Sequence, residues 1–345
     1  MKKIIVLLCV LAACALSVTG CSREEQKEYE QAESNLNKGY YEKAITGFES
    51  AVANDLHTAQ AYRGIGVAQF ELGVYEEAVT AFTQALNLES KDTAFRKDVL
   101  AYMATAQLNN GAYEDALATA EQLVELGTDT QHLFLLGKIQ LMLDQYDTAQ
   151  SYFEEYLNNS TTYTDYIRVY EAYNSREMNA DGDTYLEAAL NITPKTAQDY
   201  YDLGCVYYYL ENTVDAQKQL ELAVDKGSTD VLFFLGKLYL AQGDASKAQD
   251  IYQTCVDNGE NIAQAYNGLA ACAILEENFD EALAYIEQGL EEADTQETQE
   301  LLYSEIVVYE KQLDFATAKT KMADYIALYP EDETAQRENT FLQNR

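Results

Sequence analysis

The chain has 345 residues, of which 23 are basic and 58 are acidic, so its formal net charge at pH 7 is −35. A negative field of this size disfavours nucleic acid and anionic lipid, which are themselves polyanions, and it favours cationic partners. The plain alternative is that the acidic residues form a solvated outer face.

The N-terminus has the features of an export signal. Two lysines precede an apolar run over residues 4–18, which is too short to span a bilayer comfortably and fits a signal peptide. The run ends in Val-Thr-Gly-Cys at residues 18–21, which resembles the bacterial lipobox. The resemblance implies that residues 1–20 are a signal peptide, that Cys21 is lipidated, and that residues 21–27 are a short tether. The alternatives are an ordinary signal peptide with a chance cysteine, or a membrane helix.

A lipidated Cys21 would fix the location of the chain. The lipobox implies a diacylglycerol on this cysteine, often with a third acyl chain, and two or more chains make a stable membrane anchor. We therefore expect the mature chain on the extracytoplasmic face of a bacterial cytoplasmic or outer membrane.

A pattern of small and aromatic residues returns about every 34 residues. Its most regular members are alanines spaced 34, 38, 33, 67, 32, 34 and 36 residues apart, and the interval of 67 has room for two units. These alanines are Ala44, Ala78, Ala116, Ala149, Ala216, Ala248, Ala282 and Ala318. Between them, apolar residues recur at steps of three and four, which predicts amphipathic helices. A fixed period of this length predicts stacked two-helix units rather than one globular core.

The order of residues within a unit is that of a known family. The clearest copy has Gly66 on its first helix and Tyr75, Ala78 and Phe82 on its second. This order resembles the tetratricopeptide repeat (TPR), in which a first helix with a Leu-Gly or Leu-Ala step pairs with a second helix carrying Ala, Phe and Ala. The resemblance implies an all-α fold, a right-handed α-solenoid of about nine helix-turn-helix repeats over residues 28–330.

Glycines are expected to separate the two helices of several units, because a left-handed residue can close the first helix there. These glycines are Gly39, Gly73, Gly111 and Gly243. The chain departs from the family pattern in three ways: it has no Trp, the third unit has Ala120 in place of an aromatic, and the fifth unit is degenerate. The fifth unit, at about 163–194, has Gly182 where an alanine is expected. Residues 331–345 are predicted to form a C-terminal capping helix, which repeat arrays need for solubility.

The first helices of TPR arrays line a groove, so the resemblance also indicates a binding face. Aromatic and cationic side chains at the inward positions would suit an extended or helical peptide. The predicted groove residues are Arg63, Phe70, Phe134, Lys138, Tyr201, Tyr208, Phe233 and Lys237. The alternative is that half of the inward-facing residues simply pack between units. We favour the aromatic run at residues 207–209, beside the degenerate fifth unit, as the recognition surface.

No set of residues for catalysis is recognisable in the sequence. It has no His-Glu-x-x-His, no Gly-x-Ser-x-Gly, no Gly-rich phosphate loop and no Cys-x-x-Cys. We therefore predict that the chain is not an enzyme and has no cofactor or metal. His57 and His132 are expected to be exposed. Cys205, Cys255 and Cys272 are expected to be buried thiols, with a Cys255–Cys272 disulfide as the alternative.

A segment within the fifth unit begins like a calcium-binding loop. Residues 179–183 read Asn-Ala-Asp-Gly-Asp, but Thr184 and Leu190 stand where the loop needs Gly and Glu. The segment is therefore predicted to be a polar turn.

Together these features favour a lipid-anchored scaffold that binds a protein or peptide partner through its TPR groove, in the assembly of the cell envelope. One alternative is an accessory subunit of an envelope enzyme or secretion complex. Another is a ligand-capture lipoprotein, which a closed pocket rather than an open groove would support.

Overall fold

The computed structural model describes residues 24–344 except for residues 90, 128, 159, 230 and 260. The predicted signal peptide, the lipidation site Cys21 and the beginning of the tether lie outside the described residues. Within them all regular structure is helical, with 19 helices and no strand, so the all-α fold is confirmed.

The chain divides into two compact units. The first unit contains the residues up to Ser160 together with Glu171–Met178, and the second contains Thr161–Tyr170 together with the residues from Asn179 on. The helices of the first unit are α1 at residues 24–37, α2 Tyr41–Ala53, α3 Thr58–Glu71, α4 Tyr75–Leu88, α5 Thr93–Asn109, α6 Tyr113–Glu125, α7 Thr130–Met142 and α8 Tyr146–Leu157. Helix α9, Tyr163–Asn174, has residues in both units.

The second unit continues the same alternation of helices. They are α10 Asn179–Ala189, α11 Ala197–Tyr209, α12 Thr213–Asp225, α13 Leu232–Ala241, α14 Ala245–Asn258, α15 Ile262–Leu275, α16 Phe279–Glu292, α17 Thr295–Lys311, α18 Phe315–Leu328 and α19 Glu333–Gln343. The odd-numbered helices from α1 to α17 are the first helices of the pairs, and the even-numbered helices from α2 to α18 are the second helices.

A single left-handed residue joins the two helices of every described pair. These residues are Gly39, Gly73, Gly111, Asp144, Glu177, Glu211, Gly243, Glu277 and Leu313. In each case the next backbone N–H donates to the carbonyl five residues earlier, as from Val74 to Gln69 at 2.9 Å. This bond satisfies a carbonyl that the end of the first helix leaves unpaired. The left-handed turns predicted at the four glycines are confirmed, with φ between 75° and 78°.

Close packing within a pair depends on a small residue facing a large one. A Cβ atom added to Gly66 would lie 2.5 Å from a ring carbon of Phe82, which is fully buried. Gly137 has the same relation to Phe153, where the distance would be 2.6 Å. The two helices can therefore approach closely only because the first one lacks a side chain at this position.

Several first helices begin at a side-chain cap. Asp129 caps α7 by accepting from the His132 N–H at 3.0 Å, and its own N–H donates to His132 Nδ1 at 3.3 Å. This reciprocal arrangement pairs two N–H groups at the start of the helix. His132 is buried by it, with 8% of its surface exposed, so the prediction that this residue is exposed is wrong. His57 is exposed as expected.

The fifth helix pair, α9 and α10, lies in the interval of 67 residues between two of the regularly spaced alanines. The chain turns at Glu177, and α10 begins at Asn179, so the prediction of a polar turn over residues 179–183 is wrong. Gly182 lies buried within that helix. The apolar residues that follow it, such as Leu186, supply a buried face that holds the segment as a helix.

The last helix, α19, packs its apolar residues against the preceding pair. Ala335 and Leu342 share one buried cluster with Ile306, Met322 and Tyr325. Asp332 caps this helix by accepting from the Ala335 N–H at 3.0 Å.

Candidate functional site

In the first unit, the predicted groove residue Arg63 is held by an ion pair. Its guanidinium donates to both carboxylate oxygens of Asp98, at 2.5 and 3.0 Å, and lies over the ring of Tyr102 at 5.7 Å. The hydrogen bond that Arg63 donates to the carboxylate of Asp98 raises the pKa of Arg63 above its ordinary value. A bidentate pair of this kind joins α3 to α5 and occupies the donors that a ligand would use.

The face around Arg63 forms a mixed polar cavity of about 350 Å³. Tyr29, Glu33 and Phe95 are among its lining residues, so α1, α3 and α5 all contribute. Burial, followed by the charge of Glu33, raises the pKa of Tyr29 to about 12, so its hydroxyl stays protonated.

The two predicted phenylalanines of the first unit pack largely inside it. The Phe70 ring meets Tyr75 and Tyr102 edge to face at 5.6 and 5.8 Å. Phe134 lies 5.3 Å from the ring of Tyr156. Both phenylalanines are half-buried, and so is Lys138 one turn beyond Phe134. Aromatic pairs at these distances contribute to packing, so these side chains connect first helices to their second helices.

In the second unit, the structure brings Tyr201 and Tyr208 together on α11. Both rings meet Phe234 of α13 edge to face, at 6.4 and 5.0 Å. Burial, followed by the nearby Cys205, raises the pKa of Tyr201 to about 12. Tyr208 keeps 44% of its surface exposed, so it can contact a ligand without leaving its place.

Phe233 and Lys237 form a second pair on α13. The Lys237 ammonium lies 4.5 Å from the centre of the Phe233 ring, and the lysine is exposed. The Phe233 ring also meets the buried Tyr252 edge to face at 5.8 Å. A cation held over an aromatic face is both positioned and accessible.

An apolar groove in the second unit was not predicted. It encloses about 650 Å³ between the ends of α13, α15 and α17 and the start of α16. Its lining residues are Leu240, Ala241, Ala271, Ile274, Leu275, Glu277, Phe279 and Lys311. None of the predicted groove residues lines it. The available signal is the adjacent apolar residues just before two of the turns, Leu240-Ala241 and Ile274-Leu275, since successive residues of a helix point in different directions.

An acidic cavity of about 430 Å³ adjoins this groove and shares Glu277 and Phe279 with it. Asp280 and Glu281 line it as well. All three acids are exposed. The apolar groove therefore has a negative rim.

The C-terminal end of the second unit carries a polar cavity of about 480 Å³, which Asn267, Tyr303 and Asp332 help to line. Near it, burial and the carboxylate of Glu338 raise the pKa of Glu310 to about 7. Glu310 is thus partly protonated near neutral pH.

The described cysteines Cys205, Cys255 and Cys272 are not joined in disulfides. Cys255 and Cys272 are buried as expected, whereas Cys205 is half-buried. Burial raises the pKa of Cys272 to about 12, which leaves its thiol protonated and unreactive at neutral pH.

The described residues contain no group of three or more His, Cys, Asp or Glu side chains placed to hold a metal ion. None of the helices in the same residues combines the length and the apolar character that crossing a bilayer requires.

The repeats match those of known proteins. A family model described as tetratricopeptide repeat matches residues 29–94, 103–163, 201–260 and 233–297. Over 256 residues the chain is 20% identical to the BBSome complex member BBS4 homolog of Drosophila melanogaster. This alignment covers 73% of this chain and 48% of that protein. Over 76 residues it is 37% identical to BBSome complex member BBS4 of Mus musculus. That alignment covers 22% of this chain and 14% of that protein. The chain thus spans about half of the first relative's length and less of the second.

Two solved structures are similar to the chain over most of its length. One is a tetratricopeptide repeat protein from Parabacteroides merdae, 17% identical, with a TM-score of 0.45 and coverage of 72% of this chain and 99% of that one. The other is the APC/C hetero-tetramer Cut9–Hcn1, 13% identical, with a TM-score of 0.45 and coverage of 92% of this chain and 76% of that one.

Proposed function

The chain belongs to the tetratricopeptide repeat family, and we propose that it is a lipid-anchored scaffold that binds a protein partner in the assembly of the cell envelope. The family and its fold are typical of non-catalytic scaffolds for protein–protein interaction. The anchor rests on the lipobox-like sequence that ends at Cys21. Both curated relatives are named as members of a protein complex, which agrees with a role in protein assembly.

The observation that carries this proposal is the pair of accessible side chains on α11 and α13. Tyr208 is 44% exposed and rests edge-on against Phe234. Lys237 is exposed and is held over the ring of Phe233. Exposed aromatic residues that are fixed by their neighbours lose little side-chain entropy on binding, as protein-binding hot spots require.

The test is a cross-linked pull-down from membranes with wild-type chain and a Tyr208→Ala, Lys237→Ala double variant. Neither side chain is buried, so the variant should keep the wild-type helical circular dichroism. Tyr146→Ala is a matched control, because Tyr146 is also 44% exposed and lies at the start of a second helix. We expect a specific partner that the double variant loses and the control retains. A partner that all three proteins retain, or the absence of any specific partner, would contradict the proposal.

The anchor has a separate test. We expect Cys21→Ser to prevent metabolic labelling with palmitate, because no lipid is then attached. Labelling that persists in Cys21→Ser would contradict the anchor.

A further inference from the structure

The apolar groove of the second unit is open enough to receive a side chain from another molecule. Leu240, Ile274 and Phe279 line it, and Leu275 at its mouth keeps 49% of its surface exposed. Its volume of about 650 Å³ lies within the range of about 300–1,000 Å³ that is typical of ligand-binding clefts. Exposed apolar surface gathered in a concave site indicates a binding site rather than scattered surface residues.

The rim of the groove is acidic on the side of the turn between α15 and α16. Glu277, Asp280 and Glu281 line the adjoining cavity, and all three are exposed. Among the residues that line the two cavities, Lys311 is the one cation. An apolar floor beside a negative rim is complementary to an amphipathic segment whose apolar face is flanked by positive charge.

We propose that this groove binds a short amphipathic helix of a protein partner, with Leu or Ile on its apolar face and Lys or Arg beside it. The proposal rests on the proposed function, in that the chain binds proteins through its first-helix faces. Helix-in-groove recognition uses apolar anchors at steps of three and four residues, which lie along one face of the bound helix.

The charge of the chain argues against two other occupants. A second copy would bring a net charge of −35 against an equally negative surface, and an anionic lipid surface would meet the same repulsion. A basic helix is attracted by this negative field instead. Its binding affinity should decline with added salt, because salt shortens the range of the electrostatic interaction.

The test measures the binding of two labelled peptides to the chain that starts at residue 21, by fluorescence anisotropy. Both peptides are helices of about 18 residues with the same Leu stripe, and their polar positions carry Lys in one and Glu in the other. We expect the Lys peptide to bind at least about 10-fold more tightly at low salt, since three rim pairs each contribute a few-fold.

The decisive variant is Leu275→Asp, which should weaken binding of the Lys peptide about 10-fold. This variant makes the chain more negative, so general attraction of a basic peptide to an acidic protein predicts no loss. Leu328→Asp is the matched control, because Leu328 is 64% exposed and does not line the groove, and it should leave binding unchanged. The reversal Glu277→Lys, Glu281→Lys should shift the preference toward the Glu peptide.

Equal binding of both peptides, equal loss in Leu275→Asp and Leu328→Asp, or no binding would overturn the groove assignment. A concentration-dependent dimer in sedimentation that Leu275→Asp abolishes would also overturn it, because a second copy would then be the occupant. If neither peptide binds while the pull-down captures a partner through Tyr208 and Lys237, the groove assignment fails and the proposed function stands. If the peptides bind as expected and the pull-down finds no partner, the groove assignment stands and the proposed function fails.

Discussion

The second and fifth helix pairs both fill the space between their two helices, but they differ in which helix carries the larger side chain. In the second pair the small residue is on the first helix, where Gly66 lies against the ring of Phe82 sixteen positions later. In the fifth pair the position sixteen residues before Leu186 holds Tyr170, and both side chains lie in one buried cluster. In the fifth pair the larger side chain, Tyr170, therefore lies on the first helix rather than on the second. The repeat therefore preserves the filling of the space between helices rather than the residue type at each position.

Other pairs lie between these two extremes. The eighth pair matches Ala270 with Ile286, and both are buried. The third matches Ala104 with Ala120, both of which are almost fully buried, and the neighbouring Leu136 belongs to the same cluster. Volume that one position lacks is supplied by another residue nearby, so each pair remains filled.

The largest expected effect comes from removing the bulk of the fifth pair. Tyr170→Ala should lower the free energy of unfolding by about 3–5 kcal/mol, because truncation of a buried aromatic leaves a cavity. Tyr170 is 6% exposed, and its ring lies 5.0 Å from that of Tyr209. Urea unfolding followed by circular dichroism measures the change. Tyr40→Ala is the control, because Tyr40 is 53% exposed, and it should cost less than about 1 kcal/mol. Similar losses in both variants would show that Tyr170 does not fill the fifth pair.

A smaller effect is expected from adding bulk to the second pair. Gly66→Ala places a Cβ atom 2.5 Å from a Phe82 ring carbon, so it should cost about 1–3 kcal/mol. In the background of Phe82→Leu the same change should cost less, because the pair then has the sizes seen at Ala270 and Ile286. A double-mutant cycle should therefore give a favourable coupling energy of about 1 kcal/mol. Additive losses would mean that the two positions do not share one space.

The same comparison shows how much of the fold the sequence reveals. The second pair was recognisable because Gly66 and Phe82 match the residue order of the family. The fifth was placed by spacing alone, and its polar start at residues 179–183 was assigned to a turn. That segment is helical because residues farther along it, such as Leu186, are buried in the second unit. Burial of this kind depends on contacts distant in sequence, which local residue patterns do not record.

The binding face was less predictable than the fold. Tyr208 and Lys237 are exposed in the structure. Residue type and helical spacing could not show that the Arg63 side chain is paired with Asp98, 35 residues away in sequence. The apolar groove was missed for the opposite reason. Ile274 and Leu275 have the same apolar side chains as core residues, and only the arrangement of neighbouring helices leaves Leu275 half exposed.

The smallest expected effect concerns the turns, where the second pair has Gly73 and the fifth has Glu177, both left-handed with φ of 75° and 57°. A non-glycine residue in this conformation costs about 1–2 kcal/mol, and the greater freedom of glycine in the unfolded chain offsets about 0.5–1 kcal/mol of that. Glu177→Gly should therefore raise the free energy of unfolding by roughly 0.5–1 kcal/mol, and Gly73→Glu should lower it by a similar amount. Glu177 is exposed, so its removal breaks no buried contact.

Urea unfolding of Glu177→Gly, alone and combined with Tyr170→Ala, separates the turn from the packing. Additive changes would show that the conformational cost at Glu177 is independent of the core beside it. The fifth pair would then differ from the second in two unrelated ways, a strained turn and a core whose bulk lies on the first helix. A loss of stability in Glu177→Gly would instead mean that this glutamate contributes to the turn, and that the fifth pair is specified by its turn as well as by its core.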